Sequence, residues 1–188
     1  MPLTTIDPRA ALVVVDLQKG IVSALTDAPV TAAVKQATRL ATEFRRHGLP
    51  VILVNVTGRA PGRTDTFQSP NTTSPPAGWA DLIDELDVQP TVHLITKRRR
   101  SAFHDTGLDT LLRDLGVTQV VLTGIATGSG VESTARSASD HGYHVVLATD
   151  AMGDPDPDSH RHSVERVFPK LGETASTAEV VDMVEATR

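Results

Sequence analysis

Three places in the chain carry groups suited to moving protons or holding anions, and each follows an apolar run. Asp16 closes Ala11 to Val15, Lys97 comes just after Val92 to Ile95, and Gly124-Ile125-Ala126-Thr127-Gly128-Ser129-Gly130 follows Gln119 to Thr123. A carboxyl group, an ammonium group and a glycine-rich helix start are the materials of acid–base chemistry and anion binding. Taken singly, each has a plainer use. An aspartate at a strand end caps turns, Lys97-Arg98-Arg99-Arg100 reads as a solvated face or an anion-binding patch, and Gly130 allows tight packing. Zero cysteines exclude a thiol nucleophile, thiolate metal sites and disulfides. Ser129, Ser133 and Thr134 supply hydroxyls, but no histidine adjoins them in the motif to act as base. His160 and His162 lie two apart and diverge on a helix, while Asp154, Asp156 and Asp158 form an acidic turn suited to capping that helix. Neither a metal nor a cofactor is expected.

The elements that must position these residues alternate between strand and helix. Ala11 to Val15 is a continuous aliphatic run, the pattern of a strand buried on both faces. Apolar residues at Val30, Ala33, Val34, Ala37, Leu40, Ala41 and Phe44 predict an amphipathic helix over Val30 to His47, stopped by Gly48. Further strands are expected at Pro50 to Val56, Val92 to Ile95, Gln119 to Thr123 and His144 to Ala148, with an edge strand at Leu171 to Ala175. Helices are expected at Trp79 to Glu85, Leu108 to Leu115, Val131 to His141, His160 to Phe168 and Thr177 to Thr187, the last with Thr177 as N-cap. Small residues along Val131 to His141 predict close approach to the sheet or to another subunit. The pattern specifies an α/β fold with an open, mostly parallel sheet of five or six strands and helices on both faces.

In such sheets ligands bind at the C-terminal ends of the strands, where Asp16, Lys97 and the glycine-rich turn fall. Arg59 to Pro76 is rich in proline and glycine and must be a long loop leaving one of those ends. Arg59 and Arg63 in it suit a substrate carboxylate, and Phe67 and Trp79 offer pocket walls.

Length and composition limit the possible partners. The 188 residues fit one domain spanning 1–188, and 39% apolar with 22% charged residues describes a packed globular chain. Lysine and arginine total 18 against 23 acidic residues, a net charge of −5. That balance lacks the basic footprint of a nucleic-acid binder and leaves a small-molecule substrate as the expected partner. The first apolar run ends at Asp16, too short for a signal segment or a membrane span, so a cytoplasmic protein without membrane contact is expected.

Taken together, Asp16-Leu17-Gln18, Lys97-Arg98-Arg99-Arg100-Ser101-Ala102-Phe103 and Gly124-Ile125-Ala126-Thr127 followed by Gly130-Val131-Glu132-Ser133-Thr134-Ala135 resemble the isochorismatase-like hydrolase superfamily. Gly142-Tyr143 and Phe168-Pro169-Lys170-Leu171-Gly172-Glu173 extend the resemblance over nearly the whole chain. It implies six parallel strands in a Rossmann-like α/β fold and a homodimer or larger homo-oligomer. In the cysteine-dependent members, an aspartate and a lysine at the places of Asp16 and Lys97 flank a cysteine nucleophile, and that place here is Gly130. The resemblance further implies a cis peptide at Ile125-Ala126 and backbone N–H donors from Ala126 and Gly130 toward an oxyanion.

Isochorismatases are similar in having glycine at this place, and they cleave a vinyl ether without a covalent intermediate. The implied mechanism makes Asp16 the general acid and Lys97 its electrostatic partner, with Gln18, Arg59, Phe67 and Thr127 as substrate contacts. A neighbouring ammonium lowers a carboxyl pKa, so burial or substrate charge must outweigh Lys97. Asp16-Leu17-Gln18-Lys19-Gly20 and Ala126-Thr127 look more like the cysteine amidohydrolase branch. Asn55-Val56-Thr57-Gly58-Arg59 lacks the carboxylate-and-histidine metal motif of nicotinamidases. Two alternatives are an inactive member serving as a ligand-binding or oligomeric scaffold, and an amide hydrolase using activated water.

Overall fold

The computed structural model describes residues 3–25, 28–58, 60–65, 75–90 and 92–187. Arg59 and Phe67 lie outside them. The strands are β1 Ala10–Val15, β2 Val51–Val56, β3 His93–Lys97, β4 Gln119–Ile125, β5 His144–Gly153 and β6 Glu173–Ala175. The helices are α1 Lys19–Val22, α2 Ala28–Arg46, α3 Leu108–Asp114, α4 Glu132–Asp140, α5 Pro157–His162 and α6 Thr177–Ala186. All six strands are parallel, in the order β3-β2-β1-β4-β5-β6. The chain thus builds outward from β1 through β2 to β3, then returns to lay β4 on the other side of β1. The seam between β1 and β4 is the reversal point where open sheets hold their ligands.

Every residue of β1 is buried, because both faces of the sheet are covered. Leu12 and Val14 face α2 and α6, where Phe44, Leu40, Val180 and Val184 complete one apolar layer. Ala11, Val13 and Val15 face Leu108, Leu112, Ala135 and Ala138 of α3 and α4 on the other side. The small buried residues of α4 lie against the sheet, the close approach their size predicts. At the seam, Gly124 pairs with Val15 at φ +123°, and a Cβ there would stand 2.0 Å from the Val15 carbonyl oxygen. Only glycine permits that backbone approach.

Several elements differ from their sequence expectation. Trp79 to Glu85 is not a helix: it forms turns and then one 3₁₀ turn at Asp84–Leu86. Its backbone is engaged elsewhere, since the Trp79 carbonyl accepts from Gly20 N–H, and Ile83 N–H donates to Leu17 in an antiparallel bridge. Helix α1 had no periodic apolar signal in its four residues. The helix expected from His160 begins at Pro157 and loosens into a π turn at Ser163–Val167, then a 3₁₀ turn. The N-cap of α6 is Ser176, which exchanges reciprocal hydrogen bonds with Glu179 in a capping box. Thr177 instead donates its hydroxyl to Asp150 Oδ1 at 2.9 Å.

Candidate active site

Asp16 leaves β1 at φ +56°, in the left-handed region that aspartate tolerates better than most residues. That turn directs the chain away from the sheet toward α1. Gln18, fully buried, fixes it in place: its Nε2 donates to the carbonyls of Val56 (3.1 Å) and Trp79 (3.2 Å), and its Oε1 accepts from Val56 N–H at 2.8 Å. With its polar atoms engaged internally, Gln18 lies outside the cavity wall, contrary to its expected place as a substrate contact.

Lys97 reaches across from the end of β3. Its Nζ donates to Asp16 Oδ2 at 2.7 Å and to the Arg99 carbonyl at 3.2 Å, and its side chain is 2% exposed. The bend that follows β3 therefore wraps around its own lysine and aims it at Asp16. The other carboxylate oxygen, Asp16 Oδ1, is buried with no hydrogen-bond partner among the described residues. Burial pushes the Asp16 carboxyl up to about 6, against the opposing charge and hydrogen bond of Lys97. Desolvation outweighs the ammonium.

Gly130 completes the constellation. A Cβ there would lie 3.0 Å from Asp16 Oδ2, 3.2 Å from Val15 Cγ1 and 3.6 Å from Lys97 Nζ. A side chain at this position would touch both charged groups, whereas glycine leaves that space to whatever occupies the cavity. The peptide Ile125-Ala126 is cis, and Ala126, Ser129 and Gly130 all line the cavity.

Hydroxyl groups behind this turn position it. Thr134 donates to the Gly130 carbonyl (2.7 Å) and accepts from Ala102 N–H (3.0 Å), pinning α4 to the segment after Lys97. Thr127 is buried, donates to the Gly153 carbonyl at 3.0 Å and meets His160 Nδ1 at 2.9 Å, so it too lies behind the cavity wall. Asp154 accepts from Gly128 N–H at 2.7 Å, while Asp156 caps α5 through Asp158 N–H. The acidic turn thus anchors both the helix and the glycine-rich loop.

The cavity above Asp16, Lys97 and Gly130 measures about 570 Å³ and opens at the seam between β1 and β4. Ile21 and Leu25 from the α1 region, with Val56 and Ile125, form an apolar wall. Arg63, Arg99 and Arg100 also line it. The last two lie in a bend that a run of four basic residues gives no sign of, and the sequence reads them as a solvated face or an anion-binding patch outside the site. Trp79 packs over Gly20, where a Cβ would stand 1.9 Å from its ring, and is not part of the wall. Among the described residues, the group with metal-ligand geometry is Glu43, His47 and Glu185, none of which lines the cavity. Arg46 already bridges its two carboxylates at 2.7 and 2.5 Å.

An open parallel sheet with a buried acid–lysine pair beneath a cavity at its reversal point defines an α/β protein with a small-molecule site. Residues 10–179 match the isochorismatase domain family. The chain is 38% identical over 181 residues to the uncharacterized isochorismatase family protein YwoC of Bacillus subtilis, covering 94% of each. An isochorismatase family protein from Burkholderia thailandensis superposes with TM-score 0.88 at 38% identity, over 96% of this chain and 98% of that one. N-carbamoylsarcosine amidase from Thermoplasma acidophilum superposes with TM-score 0.75 at 27% identity, over 90% and 96%. This chain belongs to the isochorismatase family, whose members are hydrolases.

Proposed function

We propose that this protein hydrolyses a vinyl ether of the isochorismate type without a covalent intermediate, with Asp16 as the proton-transfer group. Protonated Asp16 delivers its proton to the terminal vinyl carbon and leaves an oxocarbenium ion at the ether carbon. Water adds to that carbon and returns a proton to Asp16. The resulting hemiketal breaks its C–O bond, releasing the alcohol and the keto acid pyruvate. Lys97 holds the carboxyl in one orientation through Oδ2, the oxygen that also borders the open space beside Gly130. Gly130 keeps the space beside it clear, and Ala126 and Gly130 present backbone donors to the alcohol oxygen as it departs from the hemiketal.

One observation carries this reading: a buried carboxyl whose Oδ1 has no partner among the described residues, raised to about 6, beside a position with no side chain. Such a group is roughly a tenth protonated at pH 7, a usable supply of acid. The open cavity over it favours turnover above a purely structural scaffold. The homo-oligomer that the family resemblance implies belongs to the same proposal. The test is pyruvate release from isochorismate by the parent and by Asp16→Asn. A loss of about 100-fold or more in kcat is expected, and equal rates would refute the role of Asp16.

A second reading has its own support in the amidohydrolase-like sequence around Asp16 and in the similarity to an amidase. In it, ionised Asp16 takes a proton from water that attacks an amide. The two readings demand opposite protonation states of one group.

A further inference from the structure

The cavity carries a charge opposite to that of the protein. The chain has a net charge of −5, yet among the described residues its cavity is lined by Lys97, Arg63, Arg99 and Arg100 against one acidic residue, Asp16. The Asp16 carboxylate is matched by Lys97 at 2.7 Å, which leaves three guanidinium groups in surplus. Among the described residues none of the three forms an ion pair with a carboxylate. Elsewhere exposed arginines do find such partners, as Arg136 does with Glu132 at 3.0 Å and Arg161 with Asp158 at 2.9 Å. Unneutralised like charges around one concavity repel one another and are stabilised when an anion enters.

Arg99 and Arg100 are held at the rim by the same bend that orients Lys97. The Arg99 carbonyl accepts from Lys97 Nζ at 3.2 Å, and Arg99 Nη1 donates to the Arg98 carbonyl at 3.0 Å. The loop that leaves β2 abuts this bend: a Cβ on Gly58, itself a wall residue, would lie 3.5 Å from the Arg98 stem. Ile21, Leu25, Val56 and Ile125 supply an apolar surface for the rest of a ligand.

From this arrangement we infer that Arg99 and Arg100, with Arg63 from the facing loop, form an anion subsite that selects a small organic substrate bearing a carboxylate or phosphate beside a hydrocarbon portion. The subsite sets specificity and binding. Its effect on turnover rests on the Asp16 reading above; its effect on binding does not.

The test is calorimetric titration of the full chain with benzoate, phenyl phosphate and benzamide, which share a ring and differ in charge. At least one anion is expected to bind about tenfold or more tightly than benzamide, a difference near 1.4 kcal/mol, and to weaken as sodium chloride rises. The tighter of the two anions names the group. In Arg99→Gln/Arg100→Gln the preference should fall to within about threefold, while Arg99→Lys/Arg100→Lys, which keeps the charge, retains part of it and serves as the folding control. With a turned-over substrate the glutamine variant should raise KM more than it lowers kcat. Asp16→Asn should bind the anion at least as tightly as the parent. Equal affinity for all three probes, no anion binding at millimolar concentration, or an undiminished preference in the glutamine variant overturns the subsite. An intact anion preference without vinyl-ether turnover leaves it standing and removes the proposed reaction instead.

Discussion

At the scale of single residues, the site turns on which polar atoms are engaged internally and which are left over. Lys97 gives hydrogen bonds to Asp16 Oδ2 and the Arg99 carbonyl, and Gln18 makes three bonds to backbone. Asp16 Oδ1 remains. A buried acceptor without a partner costs free energy, and protonating the carboxyl relieves that cost, consistent with its upward shift. If Gln18 only positions Asp16, then Gln18→Ala should lower unfolding stability by about 2–4 kcal/mol through the N–H and carbonyl of Val56 that lose its side chain. Substrate KM should change little at a temperature where the variant is folded. Urea unfolding and steady-state kinetics measure the two effects, and a KM effect without a stability loss would return Gln18 to the list of substrate contacts.

At the scale of elements, the seam between β1 and β4 brings the chemistry together. Asp16 leaves one of these strands, Gly130 follows the other, and Lys97 reaches in from the sheet edge. The close approach of the two strands depends on Gly124, where a methyl group would meet the Val15 carbonyl at 2.0 Å in a backbone conformation that disfavours side chains. Gly124→Ala should cost about 3 kcal/mol or more and displace Asp16 relative to Gly130. Differential scanning fluorimetry should show a fall in Tm of at least several degrees, and an unchanged Tm would mean that the seam tolerates separation. What was legible beforehand divides along the same line. Buried strands such as β1 and β4 announce themselves as continuous aliphatic runs, so their ends, and with them Asp16 and the glycine-rich turn, could be placed from sequence. The segment Trp79 to Glu85 could not, because its backbone pairs with the exit of β1, a long-range contact without local pattern. Side-chain direction was equally hidden: Gln18 and Thr127 stand beside site residues but turn into the protein, whereas Arg99 and Arg100 resemble solvated charge and line the cavity.

At the scale of the whole molecule, an acidic protein surrounds a basic cavity whose floor is one protonatable carboxyl. The surplus positive charge that draws in an anion also opposes protonation of Asp16, while burial and the charge of a bound anion favour it. The proposed reaction by the acid form is therefore tied to a carboxyl that burial raises to about 6. The most direct test is the dependence of kcat/KM on pH, from about 4.5 to 8, for pyruvate release from isochorismate. Because the acid form is active and is depleted as pH rises, the rate should fall about tenfold per pH unit above a midpoint near 6, and Asp16→Asn should lack that limb. A rate that climbs through the same midpoint, or is flat across it, would contradict Asp16 as the proton donor.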